Sequence, residues 1–274
     1  MERNRNLYWI VIISVGFAAL LAFAVPFRLA LGQYLENEKE VKLIAGIGTR
    51  LIILVASIIL VRKFKFQRYL GLGWKFDRQY LLPIIIPMLI VSMAIFGDLE
   101  TYKKAGLSLL TLFLFNNILV ALIEEFAFRG LVLPLILKIR SEKKRLMLTS
   151  VSLTALIFGV LHYLNLFREP DNFSGITSQV IFAIAIGIFL GGLMLRTKNI
   201  LFPVLIHFLI NVGFGKDILR PETEEIVTQV ASTGTDWIGT LLTLGLFGFI
   251  ALGGVYMVRL VSRDEILQLI NTDN

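Results

Sequence analysis

Apolar residues in this chain come in long runs separated by short charged segments, not in the alternation of a half-buried strand or the stripe of a surface helix. Runs near the ~20 residues needed to cross a bilayer recur from end to end. They predict eight spans: Leu7–Leu31, Leu43–Val61, Leu81–Gly97, Leu107–Leu137, Leu146–Phe167, Ile176–Leu195, Ile200–Phe214 and Trp237–Leu260. The chain therefore reads as all-α, a single polytopic transmembrane domain over residues 1–274. The third span carries Pro83 and Pro87, and the seventh begins just before Pro203. Both are short, and both are predicted to be tilted, broken or only partly spanning. In the long fourth span, Gly130 and Pro134 predict a kink or a turn into an interfacial segment.

Composition strengthens this reading. Apolar residues make up 56% and charged residues 17%, far from the roughly 45–50% and 25% of a soluble domain. The net charge of +7 would suit a nucleic-acid binder, but in a polytopic protein surplus Lys and Arg belong in cytoplasmic loops. With both termini placed in the cytoplasm, and Arg28 and Arg259 at span ends counted with the adjoining loops, 17 of the 27 Lys and Arg fall inside, eight fall outside, and Arg50 and Arg129 lie deep within spans. That loop-by-loop bias supports eight spans with cytoplasmic termini and gives no reason to expect nucleic acid as a partner. Met1 to Ala24 also has the form of a signal peptide, with Ala22-Phe23-Ala24 resembling a cleavage site. A retained first helix is favoured, because cleavage would leave seven spans. The absence of cysteine excludes disulfides, thiol nucleophiles and thiolate metal sites.

Charges inside spans are costly and are rarely left without a use. Four places stand out: Glu124 and Glu125 with Arg129 in the fourth span, His162 in the fifth, His207 with Asn211 in the seventh, and Arg50 in the second. On a helix, Glu125 and Arg129 are about 40° apart and able to pair, whereas Glu124 and Arg129 are about 140° apart. Glu125 is thus predicted to be neutralised by Arg129 and to brace the helix. Glu124 is left without an intrahelical partner, a carboxylate suited to act as general base for water. His207 and Asn211, at i and i+4, share a face and would direct two donors at a developing oxyanion. The two histidines of the chain, His162 and His207, both fall within spans.

Three motifs in order, EExxxR at Glu124-Glu125 and Arg129, FxxxH at Phe158 and His162, and HxxxN at His207 and Asn211, resemble those of the CPBP or Abi intramembrane proteases. That family includes the type II CAAX prenyl endopeptidases called Ras-converting enzymes. The resemblance covers a core of about residues 107–214. It implies an all-helical fold enclosing a membrane-embedded cavity, and cleavage near the C-terminus of a membrane-associated, in some members lipidated, protein or peptide. By position, Glu124 would activate the attacking water and His162 would hold or shuttle protons. His207 and Asn211 would form the oxyanion site, with Glu125 and Arg129 in support.

Glu124, His162 and His207 would also make a catalytic zinc set. No HExxH is present, and Asn211 suits an oxyanion better than zinc. The expectation is therefore a glutamate-dependent enzyme without a cofactor, with the zinc version as its alternative. Two further alternatives are a non-catalytic scaffold or bacteriocin-immunity partner of the same fold, and a small transporter, against which the lack of internal symmetry speaks. Depth poses a conflict. Counted at about 1.5 Å per residue from the cytoplasmic ends, Glu124 and His162 lie deeper than His207. Kinks at Pro134 and Pro203, or a short seventh helix, would bring them level. Nothing in the sequence specifies substrate or oligomeric state.

Overall fold

The computed structural model describes residues 2–72, 81–140, 145–221 and 237–271, and every regular element among them is helical. Lys75, Arg78, Lys143 and Lys144 of the basic loops, and the acidic residues between 222 and 236, lie outside the described residues. Six stretches are long and apolar enough to cross a membrane: Arg3–Leu31, Glu38–Lys63, Leu107–Ile139, Leu146–Phe167, Phe173–Thr197 and Gly239–Arg259. Pro87–Phe96 and Leu201–Phe214 are shorter apolar helices. The eight predicted spans thus divide into six of full length and two short ones, the third and seventh.

The first span is α1 (Glu2–Ala22) followed by α2 (Ala24–Leu31). The second is α3 (Glu38–Lys63), where Asn37 Oδ1 accepts hydrogen bonds from the backbone N–H groups of Lys39 and Glu40. Glu38 and Glu40 in its first turn and Arg62 and Lys63 in its last complement the helix dipole. After α4 (Gln67–Leu70) come α5 (Leu81–Phe96) and α6 (Leu99–Lys104). Next are α7 (Leu107–Ala127) and α8 (Leu133–Ile139), joined without interruption by a π-helical turn at Phe128–Val132. The expected kink is therefore a π turn. The Leu133 N–H bonds the Phe128 carbonyl five residues back, and Pro134, which has no N–H to donate, follows immediately.

Next are α9 (Leu146–Leu161), tightened at its end into 3-10 geometry over His162–Phe167, α10 (Phe173–Thr197), α11 (Leu201–Phe214), α12 (Trp237–Arg259) and α13 (Arg263–Asn271). Lipid is as apolar as leucine, so contact between spans depends on close packing through small residues. Helix α10 shows this on two sides. Gly187 and Gly191 lie against Ala155 and Val151 of α9, and Gly192 lies against the backbone of Gly254 in α12. Any side chain at Gly192 would strike the Gly254 carbonyl. Gly192→Val is expected to cost about 1–3 kcal/mol, seen as a lower unfolding temperature in detergent; an unchanged temperature would mean that α12 is not held there.

One end of the bundle is sealed by α4 and α13. Ile266 and Ile270, one turn apart on α13, are buried, as are Phe66, Tyr69 and Leu70. The turn leading into α11 is tucked beneath this cap, where the Ile200 N–H donates to the Leu70 carbonyl at 2.9 Å and Ile200 is wholly buried. Gly71, at φ +51°, passes so close to the Lys198 carbonyl that no other residue fits. At the opposite end, Asp98 pairs with Lys216 at 3.2 Å and Arg220 at 2.8 Å. The Thr101 hydroxyl, with Arg220 and Lys216, holds the Asp98 carboxyl well below the usual carboxylate range. A cavity of about 660 Å³ lies at that end, bordered by Asn37, Lys39, Lys104, Gly106 and Arg220. It touches none of the motif residues, so the embedded cavity that the resemblance implies around them is not this one.

Candidate active site

The six candidate site residues come from four stretches: the end of α7, its π turn, the 3-10 stretch that closes α9 and the middle of α11. Glu125, fully buried, accepts from Arg129 Nη1 at 2.9 Å across one turn. Arg129 Nη2 donates to the Gly187 carbonyl at 3.3 Å, and its guanidinium lies 4.9 Å from the centre of the Phe158 ring. The predicted ion pair is therefore present, and it ties α7 to α9 and α10. The same Glu125 Oε1 also accepts from His207 Nδ1 at 2.8 Å. A carboxylate only accepts, so Nδ1 carries the proton and Nε2 is the nitrogen directed onward.

That second nitrogen lies 3.5 Å from Glu124 Oε2. Glu124 has no partner on its own helix, as its angle to Arg129 predicted, but it has one on α11. With Nδ1–H committed to Glu125, Nε2 and the Glu124 carboxylate would repel as two lone pairs unless a proton lies between them. The pair is thus built to share a proton. Glu125 orients the ring, and the Glu124 side chain, 16% exposed, is the member open to a substrate.

His162 and His207 are brought to one level by Phe158, whose ring centre is 4.9 Å from the first and 6.2 Å from the second. His162 Nδ1 lies 3.0 Å from the Phe158 carbonyl, an acceptor, which leaves Nε2 of His162 as a free base. Among the described residues no hydrogen bond joins His162 to Glu124. Asn211 Nδ2 is buried without a hydrogen-bond partner, one turn beyond His207, and is a donor in reserve. Glu124 and His207 are not separated in depth, since their side chains approach to 3.5 Å; Pro203 lies in the first turn of α11 and Pro134 just after the π turn.

The zinc alternative requires Glu124, His162 and His207 to converge on one point. Among the described residues no group of three His, Cys, Asp or Glu side chains is placed to hold a metal ion. His207 has Nδ1 engaged by Glu125 and Nε2 facing Glu124.

Residues 106–213 match the family model described as "Type II CAAX prenyl endopeptidase Rce1-like". Over this stretch the chain is similar to the Rce1-like proteins of the CPBP/Abi family. No curated protein and no solved structure matches it. The matched stretch contains all three motifs, while α1 to α6, α12 and α13 lie outside it. An Rce1-like family member is, in general terms, a membrane-embedded protease acting on protein. Two features of this site escaped the sequence reading: the approach of His207 to both glutamates, and the electrostatic influence of Glu124 on Arg50. Arg50 was noticed only as a charge within a span. The link to Glu124 depends on the packing of α3 against α7.

Proposed function

We propose that the protein is an intramembrane endopeptidase that hydrolyses a peptide bond of a membrane-associated protein or peptide with water activated by Glu124. The observation that carries this is the placement of Glu124 beside His207 Nε2 at 3.5 Å, with Glu125 fixing the far side of the ring. Glu124 takes a proton from water as the oxygen attacks the scissile carbonyl carbon. The carbonyl oxygen, now negative, is met by donors from α11, the protonated Nε2 of His207 and Nδ2 of Asn211. The C–N bond then breaks as the proton held by Glu124 passes to the leaving nitrogen. His162, with Nε2 free, serves as the second proton carrier, and Glu125 with Arg129 holds His207 in register.

The reading is metal-independent, because Asn211, a poor zinc ligand, has a role in it as oxyanion donor. It also places both termini in the cytoplasm, which rests on the distribution of basic residues. The test is cleavage of a synthetic prenylated peptide by purified protein in liposomes, before and after exhaustive chelation, with metal analysis of the sample. Cleavage that survives chelation at an unchanged rate is expected. Loss of activity restored only by zinc would replace the mechanism, and absence of cleavage with a range of membrane peptides would favour a non-catalytic partner of the same fold.

A further inference from the structure

Arg50 is the one charged group in the middle of α3, and the mechanism above does not use it. It is half-buried in a span, and its Nε is buried without a hydrogen-bond partner. No hydrogen bond or ion pair holds its guanidinium among the described residues. Instead the side chain folds back along its own helix over Gly46. A methyl group added there would strike Arg50 Nη1 and lie 3.0 Å from Asn116 Oδ1 on α7, an atom that is itself buried without a partner. Arg50 and Asn116 therefore sit side by side, over a glycine that leaves them room.

The charge pattern makes this place selective. Glu125 is already neutralised by Arg129. Glu124 attracts Arg50 but does not bond it, and Arg168 repels it. An unbonded guanidinium in a membrane is costly, and it is a strong, two-pronged receptor for a carboxylate. We propose that Arg50, beside Asn116, receives the free α-carboxylate of the substrate and so fixes the chain end relative to Glu124. This rests on the protease reading above and adds a specificity-determining residue to it.

The test uses the full-length protein in phosphatidylcholine liposomes. The substrates are one prenylated peptide with three residues after the modified cysteine, made as the free acid and as the C-terminal amide. The acid is expected to have a kcat/KM about 10- to 100-fold above that of the amide, the span of a lost charge-assisted hydrogen bond. In Arg50→Gln the acid should fall to the level of the amide, and Gly46→Ala, which displaces the guanidinium without removing it, should narrow the same ratio. If Arg50 served only to tune Glu124, its loss would depress acid and amide alike and leave their ratio intact; that result overturns the proposal, as does equal cleavage of the two by the unmodified protein. If the unmodified protein cuts neither, the protease reading fails, and the site is judged by fluorescence anisotropy of the same labelled peptides. Tighter binding of the acid, abolished by Arg50→Gln, keeps the anion site; equal binding removes it.

Discussion

Glu124→Gln is expected to lower kcat for cleavage of a membrane peptide by about 10²–10⁴-fold, the usual contribution of a general base, while leaving the protein folded. Glutamine keeps the size of the side chain and its reach toward His207, but it no longer accepts a proton from water. Stability should hold because the carboxylate being removed is partly exposed and its contact with Nε2 is long, at 3.5 Å. Neutralising a carboxylate within the bilayer also removes its desolvation cost, which offsets the lost attraction to Arg50. Glu125→Gln provides the contrast. That residue is fully buried and bonded to both Arg129 and His207, so its replacement should reduce the unfolding temperature and the rate together. The check is kcat at saturating peptide alongside thermal unfolding for both variants. A Glu124→Gln enzyme within tenfold of the unmodified one would end the assignment of Glu124 as base, whatever the behaviour of Glu125.

Much of this site was legible because its chemistry is written in helical spacing. Angles along a single helix separate Glu124 from Glu125, pair Glu125 with Arg129, and put His207 and Asn211 on one face, all without knowledge of tertiary structure. Register between helices is another matter. That His207 reaches Glu124 depends on α11 beginning beneath α4, through the bond from Ile200 to Leu70, and no local signal in either segment announces that contact. The π turn is a similar case: Gly130 and Pro134 mark a disturbance, but the helix absorbs it through a five-residue hydrogen bond instead of breaking. Such turns recur at functional positions, and here the turn contains Arg129. The span count shows the same limit, since Pro87 and Pro203 identify the two short helices, yet their length depends on what covers their ends.

Loss of Arg129 carries the largest expected effect on stability. Its guanidinium is 1% exposed, bonds Glu125 at 2.9 Å and the Gly187 carbonyl at 3.3 Å, and lies over Phe158. Arg129→Ala would strand the Glu125 carboxylate inside the bundle with only His207 as partner. Removing one member of a buried ion pair costs about 3–5 kcal/mol, a fall in unfolding temperature of about 10 °C for a domain of this size. Adding Glu125→Gln to Arg129→Ala should recover part of that loss, because the stranded charge is what costs most, but it should not restore cleavage, since His207 then has no carboxylate to fix its tautomer. The measurement is thermal unfolding of the three variants in one detergent, with peptide cleavage beside it. An Arg129→Ala protein that unfolds normally yet cleaves nothing would show that the arginine acts on substrate, and the brace between α7, α9 and α10 would then have to be sought elsewhere, in the small-residue contacts of Gly187 with Ala155 and of Gly191 with Val151.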